Sequence, residues 1–435
     1  MSSVYLPAFP RLLIVFLIII IAIRKHLQLG HVFLLGACCL GSFFFLSPWA
    51  ILKIALASLI KPSTVALLFI VSFILIFSQS LEQSGQMKRL LDQFQGVVKY
   101  PFLNLILFPA IIGLLPMPGG AFFSAPMVYN LGVKRNFTST ELSYINYWFR
   151  HIWEYWWPLY PGILLTITIG GINLWRYAFH LLPFTLLAII IGYGFLYKKL
   201  NTQHLSEPVN SKDTFKDFMI SILPILMVIV LGLGFGLLFS SEKFLNHSIG
   251  NELGLILSLI IGLSWIWIAN RIQVTEIVSM FISRHHYTMI YMIAAVFIFK
   301  GILEQTHAID QINKELIQFH IPLMFITILL PFMVGMMTGI TVAFVGTTFP
   351  IIVGMIHSLG QDPLILSYLM LGSVSGFMGV LLSPLHLCLV MSNEYFKTTL
   401  GKIYPYLWIS CGIIFVVCTT YFYVLRLFLG DLSRF

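Results

Sequence analysis

The sequence predicts an all-α polytopic membrane protein made of two inverted repeats, each with five transmembrane helices and one re-entrant hairpin. Composition, a repeated set of motifs and the distribution of positive charge support this fold class. The 435-residue chain is 59% hydrophobic and 9% charged, and its mean hydropathy is +0.94. Soluble domains carry about 25% charged residues, so a soluble fold is excluded.

Short motifs recur 222 positions apart (298 minus 76), which indicates a duplication. Interrupted apolar segments at matching positions of two halves are the sequence signal of a transporter binding site. The recurring motifs are Ile76-Phe77, Leu81-Glu82-Gln83, Pro109 with Gly113, and Ala121-Phe122, which return as Ile298-Phe299, Leu303-Glu304-Gln305, Pro331 with Gly335, and Ala343-Phe344.

The first repeat covers residues 1-200 and contains a hairpin at 101-132. The run from Phe102 to Leu115 gives a helix of about 21 Å, too short for a hydrocarbon core of roughly 30 Å. We expect it to turn back at Pro116-Met117-Pro118-Gly119-Gly120, where prolines and glycines end the helix. The five spans are predicted near Leu12–Ile23, Val32–Ser47, Val65–Leu81, Ile145–Ile169 and Trp175–Tyr197.

The polar segment 201-216 is predicted to be a cytoplasmic linker. The second repeat, 217-435, has a hairpin at 321-357 with the tip Thr338-Gly339-Ile340-Thr341. Because five is an odd number of spans, the two halves must have opposite orientations. The five spans are predicted near Phe218–Phe239, Leu253–Ala269, Thr288–Leu303, Leu364–Met391 and Tyr404–Phe428.

Positive charge supports this topology. With the N-terminus outside, most Lys and Arg residues fall in the inner loops. The net charge of +9 is scattered between apolar runs, so no nucleic-acid partner is expected.

No cleavable signal peptide is indicated. The cysteines lack metal-ligand spacing and are interpreted as small core residues: Cys38, Cys39, Cys388, Cys411 and Cys418.

The hairpin tips are the first candidate site. Broken backbone at membrane depth is stable only beside protein or a water-lined cavity, so the tips should meet near the midplane. There they would offer helix N-terminal amides to an anion and free carbonyls to a cation. The alternative is a kink in a spanning helix. The candidate substrate-binding residues at the tips are Pro118, Gly119, Gly120, Ser124, Gly339 and Thr341, with Thr338 binding the cation.

A polar stripe is the second candidate. Helical spacing would place Asn146, Arg150 and Glu154 on one face, with His151 alongside. Buried ionisable residues in membrane helices are functional candidates. We expect Arg150 and His151 to bind substrate and Glu154 to couple the cation; the alternative is a structural ion pair between Arg150 and Glu154.

The matching span of the second half carries Gly372-Ser373-Val374-Ser375-Gly376. Either these small residues allow close helix packing, or the span unwinds here and Ser373 and Ser375 bind the cation. His386 and Lys300 are interpreted as structural residues. Glu82 and Glu304 could equally be caps, hinges or coupling residues.

The chain resembles the ion transporter superfamily, which includes divalent-anion/sodium symporters, citrate, gluconate and arsenite carriers, and the membrane subunits of tripartite carriers. Within it, the chain is similar to an uncharacterised prokaryotic family. This resemblance implies an elevator-like architecture. The motifs that carry it are Leu115-Pro116-Met117-Pro118-Gly119-Gly120-Ala121, Trp148-Phe149-Arg150-His151-Ile152-Trp153-Glu154 with Pro158-Leu159-Tyr160-Pro161-Gly162, and Leu382-Ser383-Pro384-Leu385-His386-Leu387-Cys388.

The dicarboxylate symporters of this superfamily carry a Ser-Asn-Thr signature at each tip, and neither tip has it here. The expected function is secondary transport of a small anion or organic acid across the prokaryotic inner membrane, coupled to sodium ions or protons. A passive channel and an intramembrane enzyme are the alternatives; the chain has no HExxH, GxSG or CxxC motif, so we expect no enzyme activity. No cofactor is expected, and whether a metal or a homodimer is involved is left open.

Overall fold

A computed structural model gives the fold of residues 7–431. The described residues are mainly α-helical and contain no β-strand. The description leaves out residues 26, 98–100, 117–119, 134, 202–214, 240–246, 307, 309–310, 312–313 and 316–321. Most of the predicted linker 201-216 therefore lies outside the described residues. The all-α prediction is confirmed.

The first half of the chain forms ten described helices: α1 Ala8–Arg24, α2 Leu29–Phe43, α3 Pro48–Ile60, α4 Pro62–Gln83, α5 Gln86–Val97, α6 Pro101–Ile112, α7 Ala121–Val133, α8 Ser139–Arg150, α9 Pro161–Gly170 and α10 Leu174–Asn201. The described helices of the second half are α11 Phe215–Phe239, α12 His247–Ala269, α13 Val274–Phe281, α14 Arg284–Gln305, α15 Leu323–Thr338, α16 Thr341–Ser358, α17 Ile365–Leu382, α18 Leu387–Tyr395 and α19 Leu400–Asp431.

Eight helical stretches of the described chain are long and apolar enough to cross a bilayer, so this is a multi-pass membrane protein. The predicted span Ile145–Ile169 is not one helix. Helix α8 ends at Arg150 and α9 begins at Pro161, and the residues between them form turns. The predicted span Val32–Ser47 is the 15-residue α2, and α3 and α13 were not predicted.

Helix boundaries repeat with the spacing of the motifs. Helix α4 begins at Pro62 and α14 at Arg284, 222 positions later (284 minus 62). Helix α6 begins at Pro101 and α15 at Leu323, again 222 positions later (323 minus 101). The internal likeness of the two halves therefore extends from the sequence to the helices.

Two helix pairs pack against elements of both halves. The pair α6 and α7 contacts α8 of its own half and α18 of the other. The pair α15 and α16 contacts α17 of its own half and α9 of the other. Each pair therefore contacts helices of both halves.

The break after α6 is stabilised by aromatic side chains. The last carbonyls of a helix have no partner within it. Here indole Nε1–H groups of Trp153 and Trp157 donate to the carbonyls of Ala110 and Leu114 at 2.7 and 2.9 Å. The hydroxyl of Tyr160 donates to the Gly113 carbonyl at 2.6 Å. The aromatic segment between α8 and α9 thus caps the end of α6.

Candidate functional site

Four interruptions of helical structure open onto one central cavity of about 520 Å³. Its wall includes Pro116 after α6 and the segment between α8 and α9. The other two interruptions are the turn between α15 and α16 and the turn between α17 and α18. Exposed backbone at membrane depth is stable where it lines such a cavity. Both halves of the chain therefore contribute to the same site.

The helices that begin at the wall of this cavity include α9 at Pro161, α16 at Thr341 and α18 at Leu387. None of the three receives a side-chain cap from the residue before it. In contrast, α8 begins away from the cavity with a complete capping box. Uncapped N-termini carry partial positive charge and unsatisfied N–H groups, which favour an anion.

The turn between α15 and α16 depends on glycine. Gly339 ends α15 with φ +65, in the left-handed region, and its N–H donates to the Gly335 carbonyl at 2.8 Å. A Cβ atom on Gly339 would lie 2.9 Å from the backbone nitrogen of His386. The turn is therefore both left-handed and in close contact with the break before α18.

Two buried residues of opposite charge face each other in the cavity. Nη1 of Arg150 lies 3.8 Å from Oε1 of Glu154, and the two side chains are 2% and 9% exposed. The Glu154 carboxylate also faces the hydroxyl groups of Thr341 and Tyr160. Removing either partner would leave the other as an uncompensated charge in the interior, which destabilises the fold.

The Arg150 guanidinium packs against Gly120, directly before the start of α7. A Cβ atom on Gly120 would lie 2.5 Å from Nη2 of Arg150. A Cβ atom on Gly113 would collide with the Arg150 carbonyl oxygen. Glycines on both sides of the first tip thus create the space that Arg150 occupies, which fixes the position of the positive charge.

Two imidazoles and a thiol meet next to this ion pair. Nε2 of His151 is 3.0 Å from Nε2 of His386, although 235 positions separate them. The ligand atoms of His151, His386 and Cys388 all lie within 4.8 Å of one another, and all three residues are buried. Nδ1 of His151 is 2.6 Å from the Tyr147 carbonyl oxygen, so Nδ1 carries the proton.

A smaller cavity of about 10 Å³ lies on the far side of Glu154. Its wall includes Glu154, Thr166, Thr341 and Ser373. This volume corresponds to about one water molecule or one small cation. Glu154 and Thr341 line both cavities, so they lie between the large cavity and the small one. The rest of the small cavity's wall is mostly apolar and includes Phe344 and Phe377.

A third cavity of about 700 Å³ adjoins the central one. Leu75, Pro116 and His285 line both of them. Glu82, at the end of α4, lines the outer part. The central cavity therefore has a route toward the protein surface at the ends of α4 and α6.

Six of the residues selected from the sequence line the central cavity: Arg150, His151, Glu154, Thr338, Gly339 and Thr341. Gly120 contacts Arg150 as described above, whereas Pro118 and Gly119 lie outside the described residues. Ser124 does not line the cavity. Its hydroxyl donates to Oδ1 of Asn146 at 2.5 Å, and Asn146 donates to Ser392 at 2.8 Å, which joins α7, α8 and α18.

The two serines of α17 lie apart from the large cavity. Ser373 lines the small cavity and is hydrogen-bonded to the Tyr177 hydroxyl. The Ser375 hydroxyl is buried without a hydrogen-bond partner among the described residues. Of the two alternatives for Gly372 to Gly376, the unwound stretch is wrong, because α17 is continuous here. A Cβ atom on Gly376 would collide with the Phe344 ring, so the small residues allow close packing.

The polar stripe was also predicted with the wrong geometry. Asn146 and Arg150 lie on α8, but the helix ends at Arg150, and Glu154 follows in irregular turns. Asn146 points to α7 and α18, whereas Arg150 and Glu154 face the cavity.

Lys300 and Glu304 form a partly exposed pair at 3.7 Å, and Lys61 is 3.4 Å from Glu304.

The sequence reasoning missed two residues of the cluster. His386 was interpreted as structural and Cys388 as a core residue. The available signal was the break at Ser383-Pro384, followed by a histidine and a cysteine two positions apart. The contact with His151 could not be predicted because it connects the two halves.

A family described as "Protein of unknown function (DUF401)" matches residues 8–425. No curated protein matches the chain. The function must therefore be inferred from the site.

Proposed function

The chain belongs to the DUF401 family, and from the geometry of its central site we propose that it is a secondary transporter for a small anion or organic acid. The observation that carries the proposal is the convergence of three uncapped helix N-termini and Arg150 on one cavity. Helix N-termini and a buried guanidinium both favour anions. The cavity volume suits a small organic anion.

Glu154 is proposed to couple transport to a cation. It lines the central cavity, where the anion would bind, and the small cavity, which suits one cation. A carboxylate and the hydroxyls of Thr341, Thr166 and Ser373 are oxygen ligands of the kind that a sodium ion takes. Protonation of Glu154 would serve the same role if the coupling ion is a proton.

We propose that the two halves are inverted repeats, with α6/α7 and α15/α16 as re-entrant hairpins, as in the ion transporter superfamily. The matched helix boundaries support this proposal. So do the contacts that α9 and α18 each make with the helix pair of the opposite half. Two contacts agree with the proposed sidedness. The Ala8 N–H donates to Glu315 at 2.7 Å, both on the outer side, and Arg89 donates to Asn270 at 2.5 Å, both on the inner side.

In this topology the route past Glu82 leads to the cytoplasm. The conformation then corresponds to an inward-facing state of a carrier in a prokaryotic cytoplasmic membrane. Exposure of one site to alternate sides is the function that an inverted-repeat architecture supports.

The test begins with purified full-length protein. A thermal-shift screen against organic and inorganic anions, with and without sodium, identifies an anion that raises the melting temperature. Proteoliposomes loaded with that anion are then assayed for counterflow of labelled anion. Uptake of the labelled anion to a level above its external concentration, driven by exchange with the unlabelled anion inside, supports a carrier. Flux without counterflow would identify a channel, and consumption of the anion would identify an enzyme.

A further inference from the structure

We propose that His151, His386 and Cys388 form a binding site for a single transition-metal ion of the zinc class. Zinc sites with three protein ligands use histidine nitrogens and cysteine sulfur, and they leave the fourth position open. The inference uses the same cavity as the proposed transport function but does not depend on it, because metal binding is measured without transport.

The distances fit such a site. A tetrahedral zinc ion with Zn–N of about 2.0–2.1 Å and Zn–S of about 2.3 Å has ligand atoms roughly 3.4–3.7 Å apart. The two Nε2 atoms are 3.0 Å apart, and the three ligand atoms lie within 4.8 Å of one another. Small side-chain adjustments of about 1 Å would therefore bring all three into coordination distance.

The orientation of His151 also fits. Metal-ligating histidines commonly donate their other ring N–H to a backbone carbonyl, which fixes the tautomer. The Nδ1–H of His151 donates to the Tyr147 carbonyl at 2.6 Å. In the neutral imidazole, the lone pair is then on Nε2, the atom that faces His386. This preorganised lone pair is what a metal ion requires.

The local charges are compatible with a cation. Binding deprotonates the Cys388 thiol, and the released proton leaves the site. The thiolate then balances one charge of the ion. Oε1 of Glu154 lies 3.7 Å from Nε2 of His151 and compensates a second positive charge. Together with Arg150, the ion brings three positive charges against these two negative ones, so one positive charge remains in the cavity. The cavity leaves room for water at the fourth position.

The experiment uses full-length protein in detergent that has been stripped with a chelator and then titrated with Co²⁺. Thiolate coordination gives Co²⁺ a sulfur-to-metal charge-transfer absorption. We expect one equivalent of Co²⁺ per chain, this absorption, and its loss when Zn²⁺ is added. Cys388→Ser should abolish the absorption, and His151→Gln or His386→Gln should weaken binding by about a hundredfold or more.

Cys418→Ser is the matched control, because Cys418 is equally buried but lies on α19 outside the cluster. It should bind Co²⁺ like the unsubstituted protein. The proposal is overturned if no stoichiometric binding occurs, or if Cys388→Ser retains the charge-transfer absorption.

A second measurement covers the case in which Cys388→Ser does not fold. A variant with Cys38, Cys39, Cys411 and Cys418 replaced by serine keeps Cys388 as its only thiol. Zn²⁺ should slow the alkylation of this thiol by N-ethylmaleimide at least tenfold. Equal alkylation rates with and without Zn²⁺ would also overturn the proposal.

Discussion

Arg150 and Glu154 lie 3.8 Å apart in the protein interior, yet Arg150 ends helix α8 and Glu154 belongs to the turns that follow it. The pair therefore bridges the break instead of lying along one helix. A carboxylate held next to a guanidinium occupies the place that an anionic substrate needs. Under the proposed function, binding of an anionic substrate would compete with the internal pair, and Glu154 would influence the affinity directly.

Arg150→Gln should destabilise the protein by about 3–5 kcal/mol, because Glu154 is left buried without its charged partner. The double variant Arg150→Gln/Glu154→Gln should recover most of the loss in melting temperature while remaining inactive in uptake. Arg150→Lys should fold but transport poorly, since lysine lacks the planar bidentate fork. Full uptake by Arg150→Gln at matched protein amounts would remove Arg150 from the site.

Gly339→Ala should reduce uptake and stability together. The left-handed backbone at φ +65 costs a non-glycine residue about 1–2 kcal/mol. The added methyl group would also press on the backbone of His386. Gly360→Ala is the matched control, with φ +64 but no atom within 4 Å of its Cβ position. Equal uptake by the two variants would show that only backbone strain matters.

Gly120→Ala should leave the fold intact but displace the Arg150 guanidinium, because the new methyl group lies 2.5 Å from Nη2. We expect KM for the transported anion to rise about tenfold, equivalent to about 1.4 kcal/mol. Gly412→Ala, on α19 with no atom near its Cβ position, should transport normally. An unchanged KM in Gly120→Ala would contradict the assigned position of Arg150.

Thr166→Val should weaken the dependence of uptake on the coupling cation, because it removes a hydroxyl from the small cavity beside Glu154. The loss of one oxygen ligand of this kind corresponds to about 1 kcal/mol, or about fivefold in apparent cation affinity. Thr168→Val is the control, since both hydroxyls donate to the carbonyl four residues earlier at 2.8 Å but Thr168 does not line the cavity. Identical cation dependence would exclude the small cavity as the coupling site.

Cysteines introduced at Asn201 and Lys314 on a cysteine-free background should react with impermeant maleimide from opposite sides of the membrane. A cysteine at Lys397 should report the same side as Asn201, because both lie on the proposed inner side. Labelling of positions 201 and 314 from one side would refute the inverted topology.

The sequence predicted the helical class and the position of two of the four breaks, at residues 116–120 and 338–341, because proline and glycine leave few backbone alternatives. The breaks inside the predicted spans Ile145–Ile169 and Leu364–Met391 were not predicted. It did not predict where α8 ends, since the helical spacing of Asn146, Arg150 and Glu154 is indistinguishable from that of a continuous helix. The meeting of His151 with His386 depends on packing between distant segments, which no local pattern encodes. Ser373 was selected as part of an unwound stretch, yet it reaches the small cavity from a continuous helix.

Because α9 and α18 each pack against the helix pair of the opposite half, the order of synthesis matters. The pair α6 and α7 leaves the ribosome with α8 but must wait for α18, which is encoded more than 250 residues later. Until then its broken backbone and buried Arg150 have no complete protein surroundings. Nascent chains that stop before Leu387 therefore present this polar surface to lipid or to the insertion machinery, and membrane quality control can distinguish them from the finished protein.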